Sequence, residues 1–338
     1  MSRGKNYDKK ITNFCNMPFT HISVDHNSDC FLCQCDGWLP IPVGKIFDFE
    51  SLEDVWNSPT AQMLQNDIQQ KKFSWCAVTR CGIIDNNIVK NNYTLSINID
   101  DSCNLACPSC RREVRMLDSG PKFEEKSQHL ERVLQWLDKF EHPIKISLGG
   151  SGDALASQLC RNLIKNYRYK KGQTFRITTN GLLLKKVIEN SSIYPAISSI
   201  SISVDAGSAE VYEQVRRPGK WKVLIENLKW LSDNQKQINV NLSFVLQKTN
   251  FYDLPAFVEL CRKFNFAGTI QPLNDWGTWN STPVINPDDY TLANGTYMDH
   301  DVTNTDHPEY NNFLQILNNV RNNNYKFLHI SPHFDQYQ

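Results

Sequence analysis

Three cysteines in the segment DSCNLACPSC carry the strongest chemical signal in this sequence. Cys103, Cys107 and Cys110 have the spacing CxxxCxxC and directly follow YTLSINID, whose alternating apolar residues are typical of a strand. Thiolates are the usual ligands of iron–sulfur clusters, and each iron of a four-iron cluster takes one external ligand. Three thiols would therefore leave one iron open to a further molecule. A zinc site with a fourth ligand elsewhere in the chain is the alternative.

The remaining cysteines fall into two groups. The chain has 11 cysteines and no apolar export segment at its N-terminus, so clustered metal ligands explain them better than a disulfide framework does. Cys160 and Cys261 lie inside apolar helical patterns and are predicted to be core thiols. The other six lie in the first third of the chain: Cys15, Cys30, Cys33, Cys35, Cys76 and Cys81.

Length and charge limit the classes of partner. A chain of 338 residues has room for about two domains. The 36 Lys and Arg residues balance 36 Asp and Glu residues, which argues against a long nucleic acid or an anionic membrane surface as partner. The sequence contains no run of about 18 apolar residues, so we expect no membrane span and a cytoplasmic location.

From about residue 93 the sequence alternates between strand and helix patterns. This order predicts an α/β fold with a parallel sheet and right-handed crossovers. Six βα units are too few to close an eight-stranded barrel, so we expect a partial, TIM-like (β/α)6 barrel. The predicted strands are 94–100, 144–150, 175–180, 198–205, 238–246 and 268–274, and the predicted helices are 125–140, 219–234 and 254–266.

The chain therefore divides into three predicted segments. Residues 1–92 form a small Cys-rich domain with one helix at 51–70, for which Ser51 is the expected N-cap. Residues 93–280 form the βα domain. Residues 281–338 are a polar C-terminal extension, to which no function is assigned, with a predicted helix at 312–322.

The CxxxCxxC motif after the first strand of a repeating βα domain resembles the radical S-adenosylmethionine (SAM) superfamily, over about residues 93–280. This resemblance implies that Cys103, Cys107 and Cys110 hold a 4Fe–4S cluster whose fourth iron is chelated by the amino and carboxylate groups of SAM. One departure is Ser109, because the family usually has an aromatic residue before the last cysteine.

Later strand ends also resemble this family. LGGSGDALAS is similar to the Gly-Gly-Glu-Pro motif, TTNG to the Thr-Asn-Gly turn, and SISVDAGSAEVYEQVR to the S-x-D…R pattern of peptide-modifying members. Ordinary Gly-rich and Asn-Gly turns remain the alternative for the first two. The resemblance implies SAM contacts from Ser151, Gly152, Asp153, Asn180, Ser203 and Arg216. Asp153 would lie near the SAM ammonium group, and Arg216 would pair with the SAM carboxylate.

The N-terminal third resembles the SPASM module, an auxiliary iron–sulfur domain. The turn Gly44-Lys45-Ile46 and the helix with Trp56 match its pattern, although the module usually follows the SAM domain and here precedes it. The resemblance implies one auxiliary 4Fe–4S cluster, and a zinc ribbon is the alternative. The implied ligands are Cys15, Cys33, Cys76 and Cys81, with Cys30 and Cys35 as alternatives.

Together these resemblances imply a radical SAM enzyme. An external one-electron reductant of flavodoxin or ferredoxin type would reduce the cluster, which cleaves SAM to methionine and a 5′-deoxyadenosyl radical that abstracts hydrogen from a substrate. The expected substrate is a peptide or protein. The alternatives are radical modification of a small molecule, nucleotide or nucleic-acid base, and, from another class, a non-catalytic zinc or electron-transfer module.

Overall fold

The strands of this protein form one mixed sheet. The structure is a computed structural model that describes residues 14–33, 39–77, 92–111, 113–234, 237–274 and 297–336. Its strands are β1 His21–Val24, β2 Asp29–Phe31, β3 Gly44–Lys45, β4 Tyr93–Ile97, β5 Ile144–Leu148, β6 Gln173–Thr179, β7 Ile197–Ser203, β8 Asn239–Leu246, β9 Ala267–Pro272 and β10 Leu328–Ile330.

Helices alternate with the strands from β4 onward. The α-helices are α1 Met17–Thr20, α2 Leu52–Asn57, α3 Pro59–Gln69, α4 Pro121–Lys139, α5 Gln158–Asn166, α6 Leu184–Ile188, α7 Ala209–Val215, α8 Trp221–Asn234, α9 Leu254–Phe264, α10 Tyr297–His300 and α11 Tyr310–Asn322. No helix in the described ranges is both long and apolar enough to cross a membrane.

The sheet order confirms the predicted α/β class. The ten strands are ordered β10-β9-β8-β7-β6-β5-β4-β1-β2-β3, and β4 to β9 pair in parallel with their neighbours in the chain. Within the described part of the chain, β3 and β10 are the two ends of this order and do not pair with each other, so the sheet is open. Parallel neighbours place all their carboxyl ends at one edge, where the loops of a site can meet.

The Cys-rich segment joins the same sheet. Strand β1 pairs in parallel with β4, in a register that sets His21 opposite Thr94 and Val24 opposite Ile97, and β2 and β3 continue the sheet as antiparallel strands. The indole N–H of Trp136 on α4 donates to the backbone oxygen of Phe49 at 3.2 Å. The sheet and the core therefore include residues from both sides of the predicted domain boundary at residue 92. The division into domains at that residue stays a prediction.

Local capping explains where the helices begin. Ser51 accepts a hydrogen bond from the Asp54 N–H, which confirms it as the N-cap of α2. The single helix predicted over 51–70 is wrong in one respect, because Ser58 ends α2 and its hydroxyl caps α3, which begins at Pro59. Proline is favoured in the first turn of a helix, so this break is local in origin.

The core lies between the sheet and the helices that cover it. Along β5, buried apolar side chains alternate with more exposed polar ones, as the sequence pattern predicts. Cys261 is fully buried in this core, which confirms its prediction. Cys160 differs, because it is half-buried on α5 and is absent from the core residues.

Candidate functional site

A single loop after β4 carries the three cysteines of the CxxxCxxC motif. We call residues 101–111 the Cys loop. Cys107 is buried, Cys103 is half-buried and Cys110 is exposed. Cys103 and Arg115 exchange two backbone hydrogen bonds of 2.7 and 3.1 Å, and the Cys110 N–H donates to the Cys107 backbone oxygen at 2.9 Å. The backbone therefore folds back on itself and brings the thiols of one loop to the carboxyl end of the sheet.

Buried polar side chains fix the start of this loop. The Ser102 N–H donates to Asp100 Oδ1 at 2.7 Å, and the Ser102 hydroxyl accepts the Leu117 N–H at 2.8 Å. The second Asp100 oxygen accepts the Ser157 hydroxyl at 2.6 Å, which ties the loop to the N-cap of α5. The residue before Cys103 is thus held from both sides and is fully buried.

The loop after β5 packs directly against the Cys loop. The Asp153 N–H donates to the Ser102 backbone oxygen at 2.8 Å. A Cβ atom at Gly152 would lie 2.3 Å from that same oxygen, a separation that real Cβ atoms do not show. Gly152 is therefore required for the close approach of the two backbones, and the small residue predicted at this position has a structural reason.

Asp153 connects the ends of β5 and β6. Its carboxylate accepts hydrogen bonds from the backbone N–H groups of Leu155, Ala156 and Asn180, and from the Thr179 hydroxyl. Burial raises the pKa of Asp153, although these hydrogen bonds act in the opposite direction. The carboxylate is directed at protein donors, and its expected place beside the SAM ammonium stays a prediction.

Asn180 brings the end of β6 to the Cys loop. Its side-chain amide donates to Asn104 Oδ1 at 2.8 Å, and the amide nitrogen lies 3.9 Å from Cys103 Sγ. The Asn180 side-chain oxygen accepts the Leu182 N–H at 3.1 Å, so the orientation of the amide is fixed. The structure therefore brings Asn180 together with the first thiol of the motif.

Arg216 brings the segment after β7 to the second thiol. Its Nη2 lies 2.5 Å from Asp205 Oδ2, and its Nη1 lies 3.6 Å from Cys107 Sγ. Next to it, the Arg217 backbone oxygen accepts the Ala106 N–H at 2.6 Å. Ser203 is half-buried at the end of β7. Two successive residues after α7 therefore contact the Cys loop.

The electrostatics of the site reflect this burial. Burial, and secondarily the charge of Asp153, raises the pKa of the Cys103 thiol to about 12, and burial also raises the pKa of Cys107. Burial opposes the charge of Arg216, but Asp205 and Cys107 more than offset it and raise its pKa. Thiols become thiolates when they bind metal, so these protonated forms apply to the protein without it.

The donor set fits an iron–sulfur cluster with an anionic ligand beside it. Three thiols are the ligand type that such clusters use. The Arg216 Nε–H and the Tyr212 hydroxyl are buried polar atoms with no hydrogen-bond partner in the described ranges. Buried donors almost always have a hydrogen-bond partner. The two unpaired donors near Cys107 therefore indicate space for an acceptor. No three His, Cys, Asp or Glu side chains in the described ranges converge on a point that could hold a single metal ion.

Four of the six N-terminal thiols lie within the described residues. Cys15 and Cys76 are half-buried and pack against the small apolar cluster of Ile68 and Phe73. Cys33 is buried directly after β2. Cys30 is fully buried in the main core, where burial raises its pKa. Cys35 and Cys81 lie outside the described residues.

Two residues of this site were given no role by the sequence analysis. Arg111 donates to the backbone oxygens of Asp101 and Ser151, each at 2.7 Å. Asp205, the acidic residue of the S-x-D…R pattern, has φ of 56° and holds Arg216 in the ion pair described above. Arg111 directly follows the last cysteine and Asp205 lies within that pattern, so both positions carried a usable signal, but the pattern does not show that Asp205 pairs with Arg216.

Two family models match the chain. The model described as the radical SAM superfamily matches residues 97–261, and the model described as the SPASM iron–sulfur cluster-binding domain matches residues 15–82. The first range includes the Cys loop and the ends of β5 to β7. The second includes Cys15, Cys30, Cys33, Cys35, Cys76 and Cys81.

Curated relatives match about half of the chain. A probable GTP 3′,8-cyclase from Methanocaldococcus jannaschii is 27% identical over 174 residues, which are 50% of this chain and 55% of that protein. A GTP 3′,8-cyclase from Petrotoga mobilis is 28% identical over 179 residues, which are 49% of this chain and 51% of that protein. The chain thus spans about half the length of the curated relatives it matches.

Solved structures match a larger share of the chain at lower identity. SuiB from Streptococcus suis bound to the precursor peptide SuiA has a TM-score of 0.48 and 14% identity, covering 85% of this chain and 64% of that chain. Native anSMEcpe with bound AdoMet has a TM-score of 0.44 and 17% identity, covering 72% of this chain and 64% of that chain.

Proposed function

Because this chain belongs to the radical SAM superfamily and carries an N-terminal SPASM-like domain, we propose that Cys103, Cys107 and Cys110 hold the cluster that binds SAM in an enzyme acting on a peptide or protein. Membership of this family implies 4Fe–4S clusters and SAM as cofactors. The cluster, when bound, supplies the electron that splits SAM into methionine and a 5′-deoxyadenosyl radical, which takes one hydrogen atom from the substrate.

One observation supports this assignment above the others. The Cys loop is contacted by Asp153 after β5, by Asn180 after β6 and by Arg216 at the end of α7, the helix that follows β7. In a parallel sheet the carboxyl ends of the strands form the edge where cofactors and substrates bind. The Cys loop therefore lies among the segments that follow three strands, at the edge where such folds bind their ligands.

The residues around the Cys loop have separate tasks in this proposal. Gly152 lets the loop after β5 approach the backbone of the Cys loop. The Asp153 carboxylate fixes Asn180 by accepting its backbone N–H. Arg216, which Asp205 orients, presents its unpartnered Nε–H to the SAM carboxylate. Ser151 and Ser203 are the remaining proposed SAM contacts. Burial of these groups keeps water away from the reacting centre.

We assign the auxiliary cluster to Cys15, Cys33, Cys76 and Cys81. Cys15 and Cys76 share one small apolar cluster, and Cys33 begins the loop that leaves β2. Cys30 is a poorer candidate, because its side chain is fully buried, whereas Cys33 in the same core cluster is 8% exposed. Cys35 remains an alternative ligand. This cluster would contact the substrate or accept the electron that a substrate radical releases when it forms product.

A peptide or protein substrate is supported by the SPASM-like domain and by the S-x-D…R sequence of β7 and α7, which resembles peptide-modifying members. A nucleotide is the second candidate, because the curated relatives at 27 and 28% identity are GTP 3′,8-cyclases. The two candidates are separated by incubating the reduced enzyme with GTP and with candidate peptides. Consumption of GTP with SAM-dependent loss of its ribose hydrogen would contradict the peptide proposal.

The cluster assignment is tested by iron content and SAM cleavage. Anaerobically reconstituted protein should hold about eight iron atoms per chain and release 5′-deoxyadenosine from SAM when a flavodoxin-type reductant or dithionite supplies electrons. The triple Ala variant of Cys103, Cys107 and Cys110 should lose this activity and keep about half of the iron. A Cys160→Ala variant is the matched control and should keep both. Iron-loaded protein that leaves SAM intact would exclude the proposal.

A further inference from the structure

Two thiols of the CxxxCxxC motif each have their own side-chain N–H donor. The Asn180 amide nitrogen lies 3.9 Å from Cys103 Sγ, and Arg216 Nη1 lies 3.6 Å from Cys107 Sγ. One donor follows β6 and the other follows α7, so no single turn accounts for the arrangement.

Each donor is held in place by an acceptor other than the thiol. Asn180 uses one amide hydrogen for Asn104 Oδ1, which leaves the other for Cys103, and its side-chain oxygen accepts the Leu182 N–H. A donor that is already oriented loses little conformational entropy when it binds a thiolate, so more of the hydrogen-bond energy stabilises that thiolate.

Arg216 is held by a buried carboxylate. Its side chain is 13% exposed and that of Asp205 is 5% exposed, and the two form an ion pair of 2.5 Å. Asp205 is fixed in turn, since its Oδ1 accepts the Val245 N–H at 2.7 Å and its backbone oxygen accepts the Asn250 amide at 3.0 Å. The pair therefore presents the Nη1–H at a set position beside Cys107 without leaving a buried charge unpaired.

Hydrogen bonds to cluster sulfur and nearby charge are two of the properties that set the reduction potential of an iron–sulfur cluster. Adding an electron makes the cluster more negative, and a donor aimed at a thiolate stabilises that state. We propose that Asn180 and Arg216 are positioning residues whose N–H groups raise the reduction potential of the cluster held by Cys103, Cys107 and Cys110. This inference rests on the proposed function, because it requires that cluster.

The test is the midpoint potential of the reconstituted enzyme without SAM. It is followed by electron paramagnetic resonance, on the reduced signal that changes when SAM is added, which separates this cluster from the auxiliary one. Arg216→Met and Asn180→Ala should each give a midpoint more negative than that of the wild type. Arg216→Met should shift the midpoint further, because it also removes a positive charge.

Two further variants keep the test decisive. Arg115→Met removes a cation that pairs with Asp101 of the Cys loop. The Arg115 side chain makes no hydrogen bond to a thiol of the described residues, so the midpoint potential of this variant should shift least. The double variant Asp205→Asn/Arg216→Met removes the ion pair together and should still shift the midpoint to more negative values, which covers the case in which Arg216→Met alone fails to assemble its cluster.

The outcomes separate the two proposals. Midpoints equal to that of the wild type in both donor variants, with full iron and the SAM-responsive signal retained, would overturn this inference alone. A shift in Arg115→Met as large as in Arg216→Met would also overturn it, because charge without a hydrogen bond would then suffice. A wild-type enzyme with no SAM-responsive signal would overturn the proposed function itself.

Discussion

The carboxylate of Asp153 accepts the backbone N–H of Asn180, with Oδ2 2.5 Å from the nitrogen. Asp153 follows β5 and Asn180 follows β6, so this hydrogen bond joins two neighbouring strand ends. Asn180 in turn contacts Asn104 and Cys103 of the Cys loop. The geometry of the first thiol therefore depends on a carboxylate that does not touch it.

Replacing Asp153 by Asn should destabilise the protein and displace Asn180. The amide keeps one acceptor oxygen but turns an NH2 group toward buried donors, and leaving a buried donor unpaired costs about 2 kcal/mol. We expect this loss in the free energy of unfolding from urea denaturation under anaerobic conditions. Asp138→Asn, whose carboxylate is 77% exposed, is the control and should change stability by less than about 0.5 kcal/mol.

A methyl group at Gly152 should separate the loop after β5 from the Cys loop. The added Cβ would lie 2.3 Å from the Ser102 backbone oxygen, so one of the two backbones must move. We expect Gly152→Ala to lower the rate of 5′-deoxyadenosine formation at least about tenfold, the effect of losing about 1.4 kcal/mol of alignment.

Gly120→Ala is the matched control for this substitution. Gly120 has a φ of 85°, but nothing lies within 4 Å of the added Cβ, so the variant carries backbone strain without a clash. Its rate should stay within about twofold of the wild type, because the residue only precedes α4. Equal losses in both variants would assign the effect to backbone strain instead of close packing.

The repeating βα part of the fold was predictable because short sequence patterns mark its strands and helices. Period-two alternation locates β5 to β9 to within a few residues, and a serine cap locates the start of α2. Strand β1 was not among the predicted strands of the βα sheet, since all four of its residues are buried and no alternation marks it. Its partner β4 lies about 70 residues away, a pairing that only the assembled core selects.

The same distinction holds within the site. The thiols are visible as CxxxCxxC because one loop contains all three. The S-x-D…R pattern contains both Asp205 and Arg216, but it does not show that they pair, because a left-handed residue at Asp205 and the whole of α7 separate the two. The motif comparison assigned Arg216 to a ligand and gave no role to the carboxylate that orients it.

Trp136 should be the most costly single residue to remove from the core that joins the N-terminal segment to the βα region. Its side chain is fully buried, and its indole N–H donates to the Phe49 backbone oxygen. Trp136→Ala should lower the free energy of unfolding by about 4 kcal/mol, the usual range for an aromatic deletion. Tyr252→Ala, at a residue that is 52% exposed, should lower it by less than about 1 kcal/mol. Similar losses in the two variants would show that α4 does not anchor the N-terminal segment.

Stability should fall in mild acid because of His21. Burial lowers the pKa of His21 from 6.5 to about 4, while its ring Nδ1 lies 2.5 Å from Thr94 Oγ1 in the strand paired with it. The unfolded chain binds this proton below pH 6.5 and the folded chain does not until about pH 4, so the contribution is complete above pH 6.5 and is lost as the pH falls toward 4.

Between about pH 7.5 and about pH 5 this linkage amounts to about 2 kcal/mol of unfolding free energy. His21→Asn keeps a polar group opposite Thr94 but cannot titrate, so its stability should change by about 2 kcal/mol less over the same interval. His26→Gln, at an exposed turn position, should keep the wild-type slope. Urea unfolding at several pH values measures all three proteins. A wild-type slope in His21→Asn would mean that other groups cause the acid sensitivity and that His21 already titrates normally in the folded protein.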